Sequence, residues 1–216
     1  MGLDDGYFSL RLKRLGFRHS TSMVSVTVTN ILRPVYISAR VIHVDALDAT
    51  SAAASLVEES YSVVGTIDLV LLDGVTYAGF NIVDPQRIFH LHGTPVAVVF
   101  RHDLDLDKIR KALYDHFADW RFRYSVIEEV YRRAEKITFP NGTSIKVSCF
   151  GLTHRICVDN VKRLTKWYPN PEPLRLADII ASAIGKKIFE VQRAIISSVM
   201  NTHPFLDRRD EESGQG

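Results

Sequence analysis

The apolar positions along the chain change period several times, and each change marks an element. Residues 23–29, MVSVTVT, alternate with β-branched side chains and predict a strand. Residues 34–42, PVYISARVI, predict its partner after a turn from Asn30 to Pro34. Two later runs, 66–72 and 94–100, are apolar without alternation, as suits strands covered on both faces in a parallel sheet. A further strand, SIKVSCF (144–150), follows the Asn141-Gly142 turn, whereas Met1 to Gly6 is almost too short to be one.

The remaining stretches carry helical spacing. Residues 48–60, DATSAAASLVEES, open with Asp48 and Thr50 as N-cap candidates. Leu106, Ile109, Leu113 and Phe117 share one helical face. After a break near Ala118-Asp119, Trp120, Ile127, Val130, Tyr131 and Ala134 predict another helix. Residues 155–167 read as helical, then Pro169, Pro171 and Pro173 make an extended elbow. From Pro173 a long helix is expected, with Leu176, Ile179, Ile180, Ala183, Ile184, Ile188 and Val191 inward and a break or kink at Gly185. An antiparallel start, a helix and then parallel strands with crossovers predict an α/β domain: a mixed central β-sheet flanked by helices on both faces. Residues 1–205 form a single domain in this reading, and the polar stretch 206–216 reads as a disordered tail.

Composition adds little to this picture. Of 216 residues, 46% are hydrophobic and 24% charged, as in ordinary globular domains, and a formal net charge of +2 gives no strong overall field toward nucleic acid. A basic segment, 8–22, holds Arg11, Lys13, Arg14, Arg18 and His19; it reads as a solvated loop, with contact to a DNA backbone as the functional alternative. Cys149 and Cys157 have no metal-ligand spacing and read as reduced, buried thiols of an intracellular protein. No secretory signal and no apolar run of the ~20 residues that span a bilayer is present, so a cytoplasmic protein without a membrane partner is expected. The sequence leaves the oligomeric state open, a homodimer included.

Candidate chemistry lies in DLVLLDGVTYAGFNIVD (68–84), where Asp73 ends an apolar strand. Functional groups of open α/β sheets collect at the C-terminal strand ends. A neighbouring strand lies only ~4.8 Å away, so carboxylates from two strands can share a divalent ion. The possible partners are Asp4 or Asp5, which point to opposite faces of an extended strand, and Asp45 or Asp48 before the first helix. The plainer reading is an Asp-Gly turn at Asp73 and an N-cap at Asp48. Asp84 is either a further ligand or the N-cap before Pro85. His90 and His92 read as solvated, and Arg175 and Asp178, three apart on the last long helix, as a pair with each other.

The blocks LDDGYF (3–8), VDALDAT (44–50), LLDGVTYAGFNIVD (71–84), GTPVAVVFR (93–101) and PEPLRLADIIASAI (171–184), in this order, resemble the archaeal endonuclease dU family. That family is related to endonuclease V and ribonuclease H. The resemblance implies a ribonuclease H-like fold and metal-dependent cleavage of a DNA phosphodiester near a deaminated base such as deoxyuridine, a DNA-repair activity. Matching by motif, it implies Asp4 or Asp5, Asp48 and Asp73 as ligands of Mg²⁺ (or Mn²⁺), with Arg101 where endonuclease V has a Lys, able to hold a phosphate oxygen. In related enzymes a late helix supplies another acidic ligand, here Asp178. Tyr77 and Asn81 are candidates for lining a pocket for a flipped base, with Gly79 permitting close approach, and Arg175 for contacting substrate. Two other readings stand beside this one: a nucleic-acid-binding protein of the same fold with little or no catalysis, and a nuclease for another nucleic acid such as RNA.

Overall fold

The computed structural model describes residues 1–9 and 19–202. The chain opens with strands β1 (Gly2–Asp5), β2 (Ser20–Val28) and β3 (Pro34–His43), then helix α1 (Ala49–Val64). Strand β4 (Val70–Asp73) leads into the small hairpin β5 (Thr76–Tyr77) and β6 (Asn81–Ile82), followed by α2 (Pro85–His92) and β7 (Val96–Phe100). Helices α3 (Leu106–His116) and α4 (Trp120–Arg132), strands β8 (Glu135–Thr138) and β9 (Ser144–Phe150), and helices α5 (His154–Arg163) and α6 (Glu172–Thr202) complete it. The main sheet runs β3-β2-β1-β4-β7-β9-β8, so β4 is its central strand. Strands β1, β4 and β7 are parallel, while β2, β3, β9 and β8 extend the sheet on either side through antiparallel pairs.

The unbroken apolar runs have the cause expected of them. Val70 and Leu72 join one core with residues of α1, α2 and α4, whereas Leu69 and Leu71 join another with Cys157 and Val161 of α5 and Leu174 of α6. Full burial of a Leu such as Leu71 or Leu72 is worth ~1.5–3 kcal/mol, so the strand is held from both sides. Strand β1 is short but well anchored. Its backbone lies between β2 and β4, and the amino group of buried Met1 donates to the Leu69 carbonyl at 2.9 Å. Burial lowers the pKa of that amine to about 5.

Helix α6 runs beside β1 at very close range. A Cβ on Gly2 would collide with the Pro173–Leu174 backbone, one on Gly6 with the Ala181 carbonyl, and one on Gly185 with the backbone of Tyr7. The helix therefore continues through Gly185, which marks a close approach and not a break. Its buried stripe is Ala177 and Ala181, packed on Val24 and Val26. Ile179, Ala183 and Val191, expected inside, are exposed, since the buried side of the helix runs through Leu174, Ala177, Ala181 and Gly185.

Other expectations also change. Cys149 and Cys157 form a disulfide between β9 and α5, since the strand–turn–helix connection brings their Cα atoms to 6.3 Å. Asp84 is an N-cap, accepting from the amides of Gln86 and Arg87, but Asp48 makes no side-chain cap bond to α1. Residues 90–92 are the last turn of α2 and not a loop. Arg11, Lys13, Arg14 and Arg18 lie outside the described residues, as does the tail 206–216, while His19 is buried. Among the described residues no helix is long and apolar enough to cross a membrane.

Candidate active site

The register of the central strands assembles the site. Gly2 pairs with Leu71 and Leu3 with Leu72, so Asp4 and Asp73 are the next residues along two adjacent parallel strands. Alternation puts both on the α6 side, because Leu3 and Leu72 face the opposite core. Asp5 points the other way, and its Oδ2 accepts from the Ala78 amide at 2.6 Å in the β5–β6 turn. Because β1 ends there, Asp5 still borders the same opening. Asp4, Asp5, Asp73, Thr76, Arg101 and His102 are among the residues lining a cleft of about 350 Å³ at the C-terminal end of the strands.

Arg101, just past the end of β7, spans the two carboxylates. Its Nε donates to Asp73 Oδ1 at 3.1 Å, one Nη donates to Asp73 Oδ2, and the same nitrogen reaches Asp4 Oδ2 at 3.4 Å. Asp4 Oδ1 also accepts from the Asp5 amide at 2.8 Å. The Asp4 carboxyl is pushed up to about 9, first by burial and then by the neighbouring charges of Asp73 and Asp5. Burial likewise raises Asp5 to about 6. Burial also raises Asp73, against the opposing pull of Arg101. Asp178 completes the electrostatics from α6, its charge acting on Asp5, Asp73 and Arg101. The Gly2 and Gly6 contacts explain its position: residues 173–174 lie level with Gly2 and residue 181 with Gly6, so Asp178 comes level with Asp4 and Asp5.

The other sequence candidates hold the frame of the cleft. Tyr77 is fully buried; its hydroxyl accepts from the Asp73 amide at 3.1 Å and donates to the Leu3 carbonyl at 3.2 Å, tying β1 to β4 beside the carboxylates. Asn81 is also fully buried. Its Oδ1 accepts from the Ala49 amide at 2.9 Å, and its Nδ2 donates to the His43 carbonyl and to Asp48 Oδ1. Neither side chain is open to a flipped base. Asp48 is outside the cleft lining, held by Asn81 and by His43 Nδ1 at 2.6 Å. Burial opposes its ionisation, yet these hydrogen bonds keep its pKa below the usual range. Asp45 accepts from the Phe80 amide at 2.9 Å. Gly79, with φ of 87°, serves the turn of the hairpin. Arg175 forms a fork with Glu172 at 2.7–2.8 Å and not with Asp178, and it does not line the cleft.

One contributor escaped the sequence reading. Buried Arg123 of α4 pairs with Asp119 at 2.9 Å and donates to the Ala46 and Phe80 carbonyls, fastening the 44–48 loop to the β5–β6 hairpin. Its only sequence signal is the four-residue Asp119–Arg123 spacing.

The donor chemistry suits a hard divalent cation, since Asp4, Asp5 and Asp73 offer only oxygens. In the conformation described, Arg101 supplies the positive charge between them, and among the described residues no three His, Cys, Asp or Glu side chains converge on one point.

Comparison with known proteins follows this geometry. A 38% identical relative, a UPF0215 protein of Thermococcus gammatolerans, aligns over 184 residues, covering 85% of this chain and 90% of the relative. The UPF0215 protein of Methanosarcina acetivorans is 38% identical over 141 residues, covering 65% and 70%. A solved protein of unknown function from Archaeoglobus fulgidus superposes with a TM-score of 0.70 at 27% identity, covering 85% of this chain and 95% of that one. Endonuclease V of Ciona intestinalis, solved with a 23mer DNA containing an inosine followed by a ribo-adenosine, superposes at 0.56 with 14% identity, covering 88% and 85%. The fold is thus the ribonuclease H-like one of endonuclease V, as the family resemblance implied, with the mixed, helix-flanked sheet that the order of elements predicted. The family model described as Endonuclease dU matches residues 1–185, and the chain belongs to the endonuclease dU family.

Proposed function

We propose that this chain is a divalent-metal-dependent endonuclease that hydrolyses a DNA phosphodiester near a deaminated base such as deoxyuridine, in DNA repair. The observation that carries the proposal is the in-register pair Asp4 and Asp73 at the C-terminal ends of two central parallel strands, opening into a cleft. Asp4 and Asp73 would hold Mg²⁺ or Mn²⁺, with Asp5 at the border of the site and Asp178 adding negative charge from α6. The ion, when bound, supplies Lewis-acid charge against the phosphodiester oxygens. Arg101, which donates to both carboxylates, would be placed to clamp a phosphate oxygen were those carboxylates to hold an ion. Asp4, whose carboxyl is raised in the metal-free protein, would have to lose its proton to serve as a ligand. Asp5, whose carboxyl borders the cleft, would orient an attacking water. Asp48 acts at a distance in this scheme, holding Asn81 and the start of α1.

The guanidinium of Arg101 across both carboxylates favours a second reading, in which the fold binds nucleic acid with little or no catalysis. One assay separates the readings. Labelled DNA duplexes with and without a single deoxyuridine, and the matching RNA, are incubated with protein in Mg²⁺, Mn²⁺ or EDTA, alongside Asp73→Asn. The proposal expects nicking of the deoxyuridine DNA only with metal, lost in a folded Asp73→Asn protein. Binding without nicking supports the second reading, and preferential cutting of RNA refutes the DNA assignment.

A further inference from the structure

Helices α3 and α4 form a hairpin beyond the cleft, and its outer face carries a second concavity of about 420 Å³. Asp107, Arg110, Lys111, Tyr114, Trp120 and Arg121 line it. Tyr114 is 66% exposed and meets Trp120 edge-to-face at 5.5 Å. Arg121 lies 5.3 Å from the centre of the Trp120 ring, and Arg110 lies 6.0 Å from both Trp120 and Tyr124. Three cations line it against the carboxylate of Asp107; Lys111 is already paired with Asp115 at 2.7 Å, which leaves Arg110 and Arg121 as the cations set against the rings. The inward residues of the hairpin are Leu113, Arg123, Ile127 and Val130, and half-buried Trp120 and Tyr124 pack against the core, so packing does not account for the exposed members, Tyr114, Arg110 and Arg121. Aromatic faces among cations are the chemistry that binds single-stranded nucleic acid: bases stack on the rings while Arg and Lys neutralise phosphates.

The patch is also close to the cleft. Leu104 lines the cleft and Asp107 the patch, so chain connectivity limits their Cα separation to about 11 Å. A strand leaving the carboxylates past His102 and Leu104 can reach Tyr114 within a few nucleotides. We propose that the α3–α4 hairpin is a stacking platform for a single-stranded DNA segment flanking the bond at Asp4 and Asp73. This rests on the nuclease reading for its location, but its recognition chemistry stands on the Tyr114–Trp120–Arg cluster.

The test is binding of a fluorescent oligothymidylate about twelve nucleotides long, within the ~4–16 nucleotide site sizes of such surfaces. It is run in EDTA so that cleavage plays no part. Tyr114→Ala, on an exposed residue, weakens binding by about 5- to 150-fold, the loss of one stacked base, while Tyr114→Phe retains it. Arg121→Ala reduces the slope of log affinity against log salt by about 0.7. Tyr114→Ala binding within twofold of wild type overturns the proposal. So does tighter binding of the matching RNA, or a change in oligomeric state without a change in oligonucleotide affinity, which would assign the surface to a second copy. If no metal condition yields nicking but Tyr114→Ala still loses the oligonucleotide, the platform stands and the nuclease reading falls.

Discussion

Replacing Asp4 by Asn should stabilise the metal-free protein, and by an amount that grows with pH. Asp4 is buried, with its carboxyl near 9 in the folded state and ~3.9 unfolded. The folded state therefore binds the proton more tightly. Stability from this group is fully present below about pH 4 and is lost as pH rises toward 9, at ~1.4 kcal/mol per pH unit. Asn has no proton to lose. It can still accept from the Asp5 amide through Oδ1, while its NH₂ faces Arg101, a cost that does not depend on the proton Asp4 would carry. The advantage of Asp4→Asn over wild type should thus widen by about 4 kcal/mol between about pH 5 and about pH 8. Urea unfolding of both proteins in EDTA at the two pH values measures it. An advantage that stays flat, or shrinks with pH, refutes the assignment of a raised pKa to a buried Asp4. Saturating Mg²⁺ should narrow the gap by stabilising wild type alone.

Other perturbations read the frame around the carboxylates. Tyr77→Phe removes a hydroxyl that serves the Asp73 amide and the Leu3 carbonyl, and should cost about 1–3 kcal/mol in the same unfolding assay. Asn81→Ala strips the Ala49 amide of its buried partner and releases Asp48, with a similar loss. Gly6→Ala drives a methyl group into the Ala181 carbonyl; it should destabilise by about 1–3 kcal/mol and shift α6, weakening any cation site that feels Asp178.

Much of this arrangement is legible in the sequence because it follows from strand alternation. The unbroken 66–72 run places Asp73 at the end of a doubly covered strand, and adjacent Asp4 and Asp5 must take opposite faces. What the sequence does not carry is who meets whom across long separations. Asp48 sits at the helix start as expected, yet its partner is Asn81 on a hairpin 33 residues away. Glu172, Arg175 and Asp178 have equal spacings, and periodicity cannot choose between the two ion pairs they allow; burial of the Glu172 end of α6 selects the first. The inward face of α6 was hidden for a related reason. It is set by the glycines of the opening segment, Gly2 against Pro173–Leu174 and Gly6 against Ala181, and by Val24 and Val26 of β2, on which Ala177 and Ala181 pack, while Ile179 and Val191 are left outside.

The most direct test of the central claim is a Mn²⁺ titration followed by electron paramagnetic resonance, with wild type, Asp73→Asn and Asp48→Asn compared near neutral pH. The account predicts saturable Mn²⁺ binding to wild type, loss of that binding in Asp73→Asn, and near-wild-type binding in Asp48→Asn if the folded frame survives. Unchanged binding in Asp73→Asn, or no binding to folded wild type while its DNA is cut, would contradict a cation site at the ends of β1 and β4.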